Sequence, residues 1–300
     1  MTHYLGQLAA MGTAVMWSLT AVFFSYSGRR VGSEVVNRSR LLFAFLFLSI
    51  SHLILQGSLF PMQVEGFRWF WFSISSILGL VLGDTFLFQA YVLIGPRLSM
   101  LLMSTVPIYS TLFGWLLFGE TVSGVELTGI LLAVAGIGWV VTERQHGKTV
   151  VEHKQYKSGI FFGLLGALGQ VANLVTARYG LVGGFPSISA TIIRILVAVV
   201  VMWGYALVRG KIGYTFSKWR DRKAFPAMVG GAFVGPFLGI WLSLIAIQLA
   251  RLGIASTLMA LPPILLIPIE YLVYKKPVSA RGMVGTAVAI AGVALIFLPQ

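Results

Sequence analysis

Residues 122–136 read VSGVELTGILLAVAG, and residues 278–292 read VSARGMVGTAVAIAG. At an offset of 156, Val122-Ser123 falls on Val278-Ser279, Gly129 on Gly285, Ala133 on Ala289, and Ala135-Gly136 on Ala291-Gly292. Both stretches are apolar and rich in small residues, a composition that lets helices approach closely in lipid. The register continues outward. Pro107 falls on Pro263, Leu102-Met103 on Leu258-Met259, and Gly79 and Gly83 on Gly235 and Gly239. Nearer the start of each half the offset is 154, where Gly12 meets Gly166 and Arg40 meets Arg194. Single small-residue matches arise by chance in apolar segments, but an ordered series containing a proline and an arginine reads as an internal duplication.

The duplicated unit is a membrane unit. Of 300 residues only 10% are charged, 57% are hydrophobic, and mean hydropathy is +0.88. A soluble domain carries about 25% charge. This balance excludes a soluble enzyme, a disordered chain and a nucleic-acid binder with a solvated basic face. The net charge of +13 sits mostly in loops between apolar runs, where basic residues set topology. The absence of cysteine excludes disulfides, thiol catalysis and Cys-ligated metal. Met1–Tyr4 contain no Lys or Arg, so the first apolar run is expected to be retained rather than removed as a signal peptide.

A helix needs about 20 apolar residues to cross a bilayer. Ten such runs are expected, over 5–26, 35–56, 69–92, 97–118, 124–142, 158–179, 187–208, 225–247, 252–273 and 281–298. The runs are continuously apolar, which excludes the alternating strands of a membrane barrel. The expected fold is an all-α integral membrane protein. Residues 1–145 form one five-helix repeat, 146–157 a polar linker and 158–300 the second repeat. Five is odd, so the second repeat starts on the opposite side of the membrane. Such inverted repeats are a common plan of secondary transporters, with the site at the repeat interface near the midplane.

The order of motifs adds to this. Trp17-Ser18 lies in the opening helix, Arg40 early in the next and Pro107 midway along the fourth, which ends in Gly119-Glu120. The small-residue stretch Ala133–Gly138 follows, and Arg194, Pro263 and Ala289–Gly292 keep the pattern in the second half. In this the chain resembles the EamA-type family of the drug/metabolite transporter superfamily. The resemblance covers nearly the whole chain. It implies ten spans as two five-helix repeats, and similarity to exporters of amino acids and other amphipathic metabolites. Three positions depart from the repeat: Lys276 stands opposite Glu120, Val171 opposite Trp17 and Ile240 opposite Asp84.

Ionisable groups inside spans are costly and therefore functional candidates. Asp84 is the deepest carboxylate, and Arg40 lies at a matching depth on an antiparallel neighbour. Their pair reads either as a proton-coupling or amine-binding site or as a structural lock. Arg194 mirrors Arg40 in the other leaflet; it either neutralises an anionic substrate group or snorkels to the interface. Arg38 reads as a boundary residue. Gln89, Gln170, Asn173 and Gln248 are amides within spans, and Gln170 and Asn173, spaced i,i+3, share a helix face. Substrate binding and interhelical hydrogen bonding both fit them. Among the aromatics, Trp17, Tyr91, Tyr109 and Trp241 are cavity candidates, with packing as the alternative. Pro107, Pro262 and Pro263 interrupt helices at corresponding places, as hinges for gating or as static kinks.

The expected function is a secondary transporter working by alternating access, with a small-molecule substrate, protons as a candidate coupling ion, and membrane lipids around it. No cofactor, metal, catalytic residue or nucleic-acid partner is expected. Competing readings are a lipid or isoprenoid enzyme embedded in the membrane, which would need clustered carboxylates, and a non-transporting scaffold. Monomer and dimer both remain open. The expected location is the cell (inner) membrane. Of the 22 Lys and Arg, Arg68, Arg178 and Arg251 fall on one side, Arg194 lies within a span, and all others fall on the opposite side. That bias puts both termini outside, whereas the family resemblance implies termini inside.

Overall fold

The computed structural model describes residues 2–141, 153–266 and 280–296, and among them the regular structure is entirely helical. Helix α1 spans Thr2–Val31 and α2 Ser33–Gln56. A continuous rod follows, built of α3 (Gly66–Ser75), a π-helical segment (Ser76–Gly83) and α4 (Asp84–Met103). Then come α5 (Val106–Phe118) and α6 (Gly124–Val141). The second half runs through α7 (His153–Gly180), α8 (Ser187–Val208) and the short α9 (Ile212–Lys218). It continues with α10 (Ala224–Ala232), a second π segment (Phe233–Gly239), α11 (Ile240–Leu249), α12 (Leu252–Met259) and α13 (Ala280–Ile296). The segment expected as linker falls largely outside the described residues, and α7 already begins at His153.

Among the described residues six helical segments are long and apolar enough to cross a membrane: Tyr4–Gly28, Ser33–Gln56, Gly66–Ala90, Tyr156–Gly180, Ser187–Val208 and Ala224–Leu249. Four more are apolar but shorter: Val106–Phe118, Gly124–Trp139, Leu252–Leu266 and Ala280–Ile296. All ten expected runs thus contain apolar helix, six of them at full crossing length among the described residues. The expected break between the third and fourth runs is absent, because the helix continues through Gly95-Pro96 to Met103. It breaks instead at Ser104–Thr105, where Thr105 folds its N–H and its hydroxyl back onto the Leu102 carbonyl, at 3.1 and 2.6 Å. The second half breaks at Ala260–Leu261, the same place at the 156-residue offset, and resumes as helix at Pro262. Pro107, Pro262 and Pro263 thus stand at the start of new helical segments rather than inside continuous ones. Pro107 occupies the first turn of α5, where a missing N–H costs nothing.

Glycines set the packing. A Cβ on Gly129 of α6 would lie 2.7 Å from the Gly292 carbonyl of α13, and one on Gly136 would lie 2.7 Å from the Gly285 carbonyl. At the offset of 156 the counterpart of Gly129 is Gly285, and that of Gly136 is Gly292. Each glycine therefore touches the counterpart of the other. The same exchange occurs elsewhere. Gly79 and Gly83 of the first π segment meet Asn173 and Gly169 of α7, while Gly235 and Gly239 of the second meet Thr20 and Trp17 of α1. The main buried cluster joins α1, α7, α11 and α12 through residues such as Ala10, Ala177, Leu244 and Leu258.

Candidate functional site

Arg40 projects from α2 and Asp84 opens α4 just after the first π segment. A π turn carries an extra residue and re-aims the side chains beyond it, and such turns recur at functional sites. Arg40 Nη2 donates to Asp84 Oδ2, and Arg40 Nε donates to Asn37 Oδ1 at 2.8 Å. The rings of Phe24 and Phe88 lie 5.7 and 5.2 Å from the guanidinium, close enough for cation–π attraction. The pair that matching depths led us to expect is therefore formed.

A second polar knot centres on Arg194 and Asn173 of the other half, joined by Ser75 and Ser76 of the first. Arg194 of α8 is 1% exposed, so it does not snorkel to the interface. Its Nη2 donates to Asn173 Oδ1, and its backbone carbonyl accepts from Ser76 Oγ at 2.6 Å. Ser75 Oγ lies 2.8 Å from Asn173 Oδ1 and 2.9 Å from the Asn173 carbonyl, donating between them, and Asn173 Nδ2 donates to Gln170 Oε1 at 3.2 Å. Arg194 Nε and Nη1 are buried with no hydrogen-bond partner among the described residues. Asp84 is near enough to act on Arg194 electrostatically. Arg40 thus takes the carboxylate directly, and Arg194 has no ion-pair partner among the described residues.

The other candidates are placed differently. Trp17 covers Gly239, with its ring 2.8 Å from where a Cβ would stand. Trp241 Nε1 donates to Ser187 Oγ at 3.2 Å, and Gln248 Nε2 to the Phe185 carbonyl at 3.0 Å, so both tie α11 to the entrance of α8. Gln89 is exposed on α4. Tyr109 is exposed on α5, beside an apolar groove of about 340 Å³ between α5 and α6 that includes Ile108, Leu112, Trp115 and Ile130. The side chain of Tyr91 and all of Lys276 lie outside the described residues. Pro107 and Pro262 are buried at the two helix breaks, and Pro263 is partly so. Arg38, expected at a boundary, is 2% exposed; Glu34 lies 3.8 Å from its Nη1, and its carbonyl accepts from Trp203 Nε1 at 3.2 Å.

Sequence reasoning missed a further charged group. Glu120 pairs with Arg178 at 2.5 Å and accepts from the Leu252 N–H at 2.8 Å. Glu126, 1% exposed, pairs with Arg251. Ser123 and Glu126 also form a capping box at the start of α6: the Ser123 N–H donates to Glu126 Oε2 at 2.9 Å, and the Glu126 N–H to Ser123 Oγ at 3.2 Å. The Ser-x-x-Glu spacing was the signal available in the sequence. Arg68, on the same side, pairs with Glu65 at 2.6 Å and donates to the Gly180 and Val182 carbonyls, both at 2.8 Å.

The pattern that defines the EamA-like transporter family matches residues 4–142 and, a second time, residues 157–298. The chain belongs to this family. Among its relatives, an uncharacterized transporter of Archaeoglobus fulgidus is 21% identical over 97% of the present EamA-family chain and 98% of its own length. A protein of known crystal structure superposes with a TM-score of 0.78, covering 97% of this chain and 96% of its own, at 18% identity. At that identity the likeness concerns the fold. Family, apolar helices and homologue together make this EamA-family protein a multi-pass membrane transporter.

Proposed function

We propose that the protein is a secondary transporter that exports amino acids or other small amphipathic metabolites across the cell (inner) membrane by alternating access. Its ten apolar segments act as two inverted five-helix repeats, residues 1–145 and 158–300, joined by 146–157. The exchange of glycine contacts between α6 and α13, and between each π segment and the opening helix of the other half, supports this reading. The two helix breaks at Ser104–Thr105 and Ala260–Leu261 are the hinges, with Pro107, Pro262 and Pro263 fixing where the helix resumes. Basic loops face the cytoplasm.

The observation that carries the proposal is the buried cluster to which both halves contribute: Arg40 and Asp84 from the first, Gln170, Asn173 and Arg194 from the second. Ionisable groups at such depth persist where they serve a pathway. A relative motion of the halves would expose the cluster first to one side and then to the other. Trp17 lies over the second π segment and supplies an apolar wall.

The test is flux. In proteoliposomes, radiolabelled L-phenylalanine and L-threonine are expected to move at a rate well above that of empty liposomes. Flux that follows an imposed pH gradient and falls at least about tenfold in Asp84→Asn assigns Asp84 the role of proton carrier. Flux that ignores the gradient and survives the substitution makes the protein a facilitator with Asp84 as the counter-ion of Arg40. No flux of any amphipathic metabolite would overturn the proposal.

A further inference from the structure

We infer that Arg194 and Asn173 form a binding pole for an organic monocarboxylate, so that the substrate is an anion or a zwitterion held by its acid group. This rests on the transport reading above and names the substrate class that site accepts. The balance of charge carries it. The cluster holds two guanidiniums, Arg40 and Arg194, against one carboxylate, Asp84. The side chains that hydrogen-bond within the cluster are otherwise neutral: Asn37 on α2, Ser75 and Ser76 on the α3 rod, Gln170 and Asn173 on α7; on α2, Arg38 has its own glutamate, Glu34, and His52 bonds to Ser189. Asp84 bonds directly to Arg40 and only acts on Arg194 from a distance. One positive charge is left over.

That charge cannot leave. A guanidinium does not give up its proton, and Arg194 is sealed inside the bundle at 1% exposure. Its Nε and Nη1 donors, buried and without partners among the described residues, are those a carboxylate would engage. Asn173 Oδ1 holds the remaining nitrogen and fixes the plane of the group. A buried, hydrogen-bonded cation without its counter-charge is strongly unfavourable, so a ligand that brings one negative charge relieves the imbalance. A neutral ligand relieves none of it, and a dianion leaves a negative charge buried in its turn. Chloride carries the same single charge, and the experiment must separate it from an organic acid.

The test uses purified protein in detergent, in chloride-free sulfate buffer of constant ionic strength. Thermal unfolding is followed with two matched acid–amide pairs, acetate against acetamide and hippurate against hippuramide, and with chloride. At least one acid is expected to raise Tm while its amide does not. In Arg194→Gln that acid's affinity is expected to fall by at least about tenfold, the value of a charged hydrogen bond removed. Arg194→Gln removes a buried anchor on which assembly can depend, so Asn173→Asp serves as the second variant. It places a fixed carboxylate beside Arg194 and is expected to raise Tm without ligand and abolish the acid's effect. Equal response to acid and amide, an acid effect that survives in either variant, or a chloride effect as large as the acid's would each overturn the assignment. Counterflow of radiolabelled hippurate in proteoliposomes keeps the two readings apart. Arg194-dependent binding without flux defeats transport and leaves the site standing, whereas amino-acid flux that persists in Arg194→Gln defeats the site and leaves transport standing.

Discussion

Where α5 gives way to α6, two buried glutamates each hold an arginine from the other half of the chain: Glu120 with Arg178, Glu126 with Arg251. In α8, equally buried, Arg194 has an amide and a carboxylate at a distance. The residue types are the same, and the paired arginines are 22% and 27% exposed where Arg194 is 1% exposed, yet the counter-charge is built in at the wetter place and not at the drier one. Fixed pairs make joints. Arg251 donates to both the Thr121 carbonyl and Glu126, and Arg178 reaches the Ala250 carbonyl at 3.2 Å, so the helix break at Ala250 is clamped to the α5–α6 turn. An unmatched charge makes a receiver, because only an incoming group can balance it.

The comparison breaks most visibly at Glu126. Glu126→Gln keeps the shape and can keep the capping box, since glutamine serves there as well, but it strands Arg251. Breaking one partner of a buried pair costs about 3–5 kcal/mol, and the partial exposure of Arg251 places the expected loss at the lower end of that range. A large drop in Tm is expected in Glu126→Gln, with much of it recovered when Arg251→Gln is added. If the single substitution leaves Tm unchanged, the pair is no joint and the contrast with Arg194 fails.

A smaller effect tests the apolar joint that parallels the charged one. At Gly136 a Cβ would press on the Gly285 carbonyl and on the Ala289 side chain, at 2.7 and 2.8 Å. Gly136→Val must push α6 and α13 apart. Overpacking of this kind costs about 1–3 kcal/mol, and Gly292→Val is expected to cost a similar amount because a Cβ there would lie 2.6 Å from the Gly129 carbonyl. A control at Gly124, which has nothing within 4 Å of its Cβ position, is expected to be near neutral to valine. Loss of stability at Gly124 equal to that at Gly136 would mean that close approach is not what these glycines provide.

The membrane class was legible because lipid forces it: every apolar run of the right length is visible without knowing any contact. The pairing of Arg40 with Asp84 followed from depth alone, since antiparallel neighbours bring matching depths together. What depth does not give is direction around the helix. Arg194 could be counted in from its span end, but only packing shows that it faces Asn173 rather than the interface. The same ignorance put Gln248 and Trp241 among cavity candidates, although their polar atoms bind the Phe185 carbonyl and Ser187. Residues 93–96 separate two expected runs, yet the helix runs through them and stops at a Ser-Thr step, where hydroxyl and N–H can fold back. The loop charges Arg178 and Arg251 read as topology signals, and Glu120 as the end of a helix motif. Their partnership depends on which loops meet, which no local pattern records.

The smallest expected effect lies at the exposed counterpart of these pairs, on the opposite side of the molecule. Asp221 accepts the Ala224 and Lys223 N–H groups at 2.9 and 3.0 Å, at the entrance to α10, and it pairs with Arg30 at 3.1 Å. The Ala224 N–H and then Arg30 hold its carboxyl down to about 2. A carboxyl whose folded value is lowered stabilises the fold above its unfolded value, about 4, and loses that contribution as pH falls from about 4 through about 2. Asp221→Asn keeps a good cap and removes the charge. Its Tm is therefore expected to lie slightly below that of the parent at neutral pH and to converge with it in acid. Because Asp221 and Arg30 are solvated, added salt should shrink the difference, whereas the Glu126–Arg251 joint, whose carboxylate is 1% exposed, should hold more of its contribution at the same salt. Equal salt sensitivity in the two would mean that burial does not distinguish them, and the contrast between fixed joints and the unmatched Arg194 would lose its physical basis.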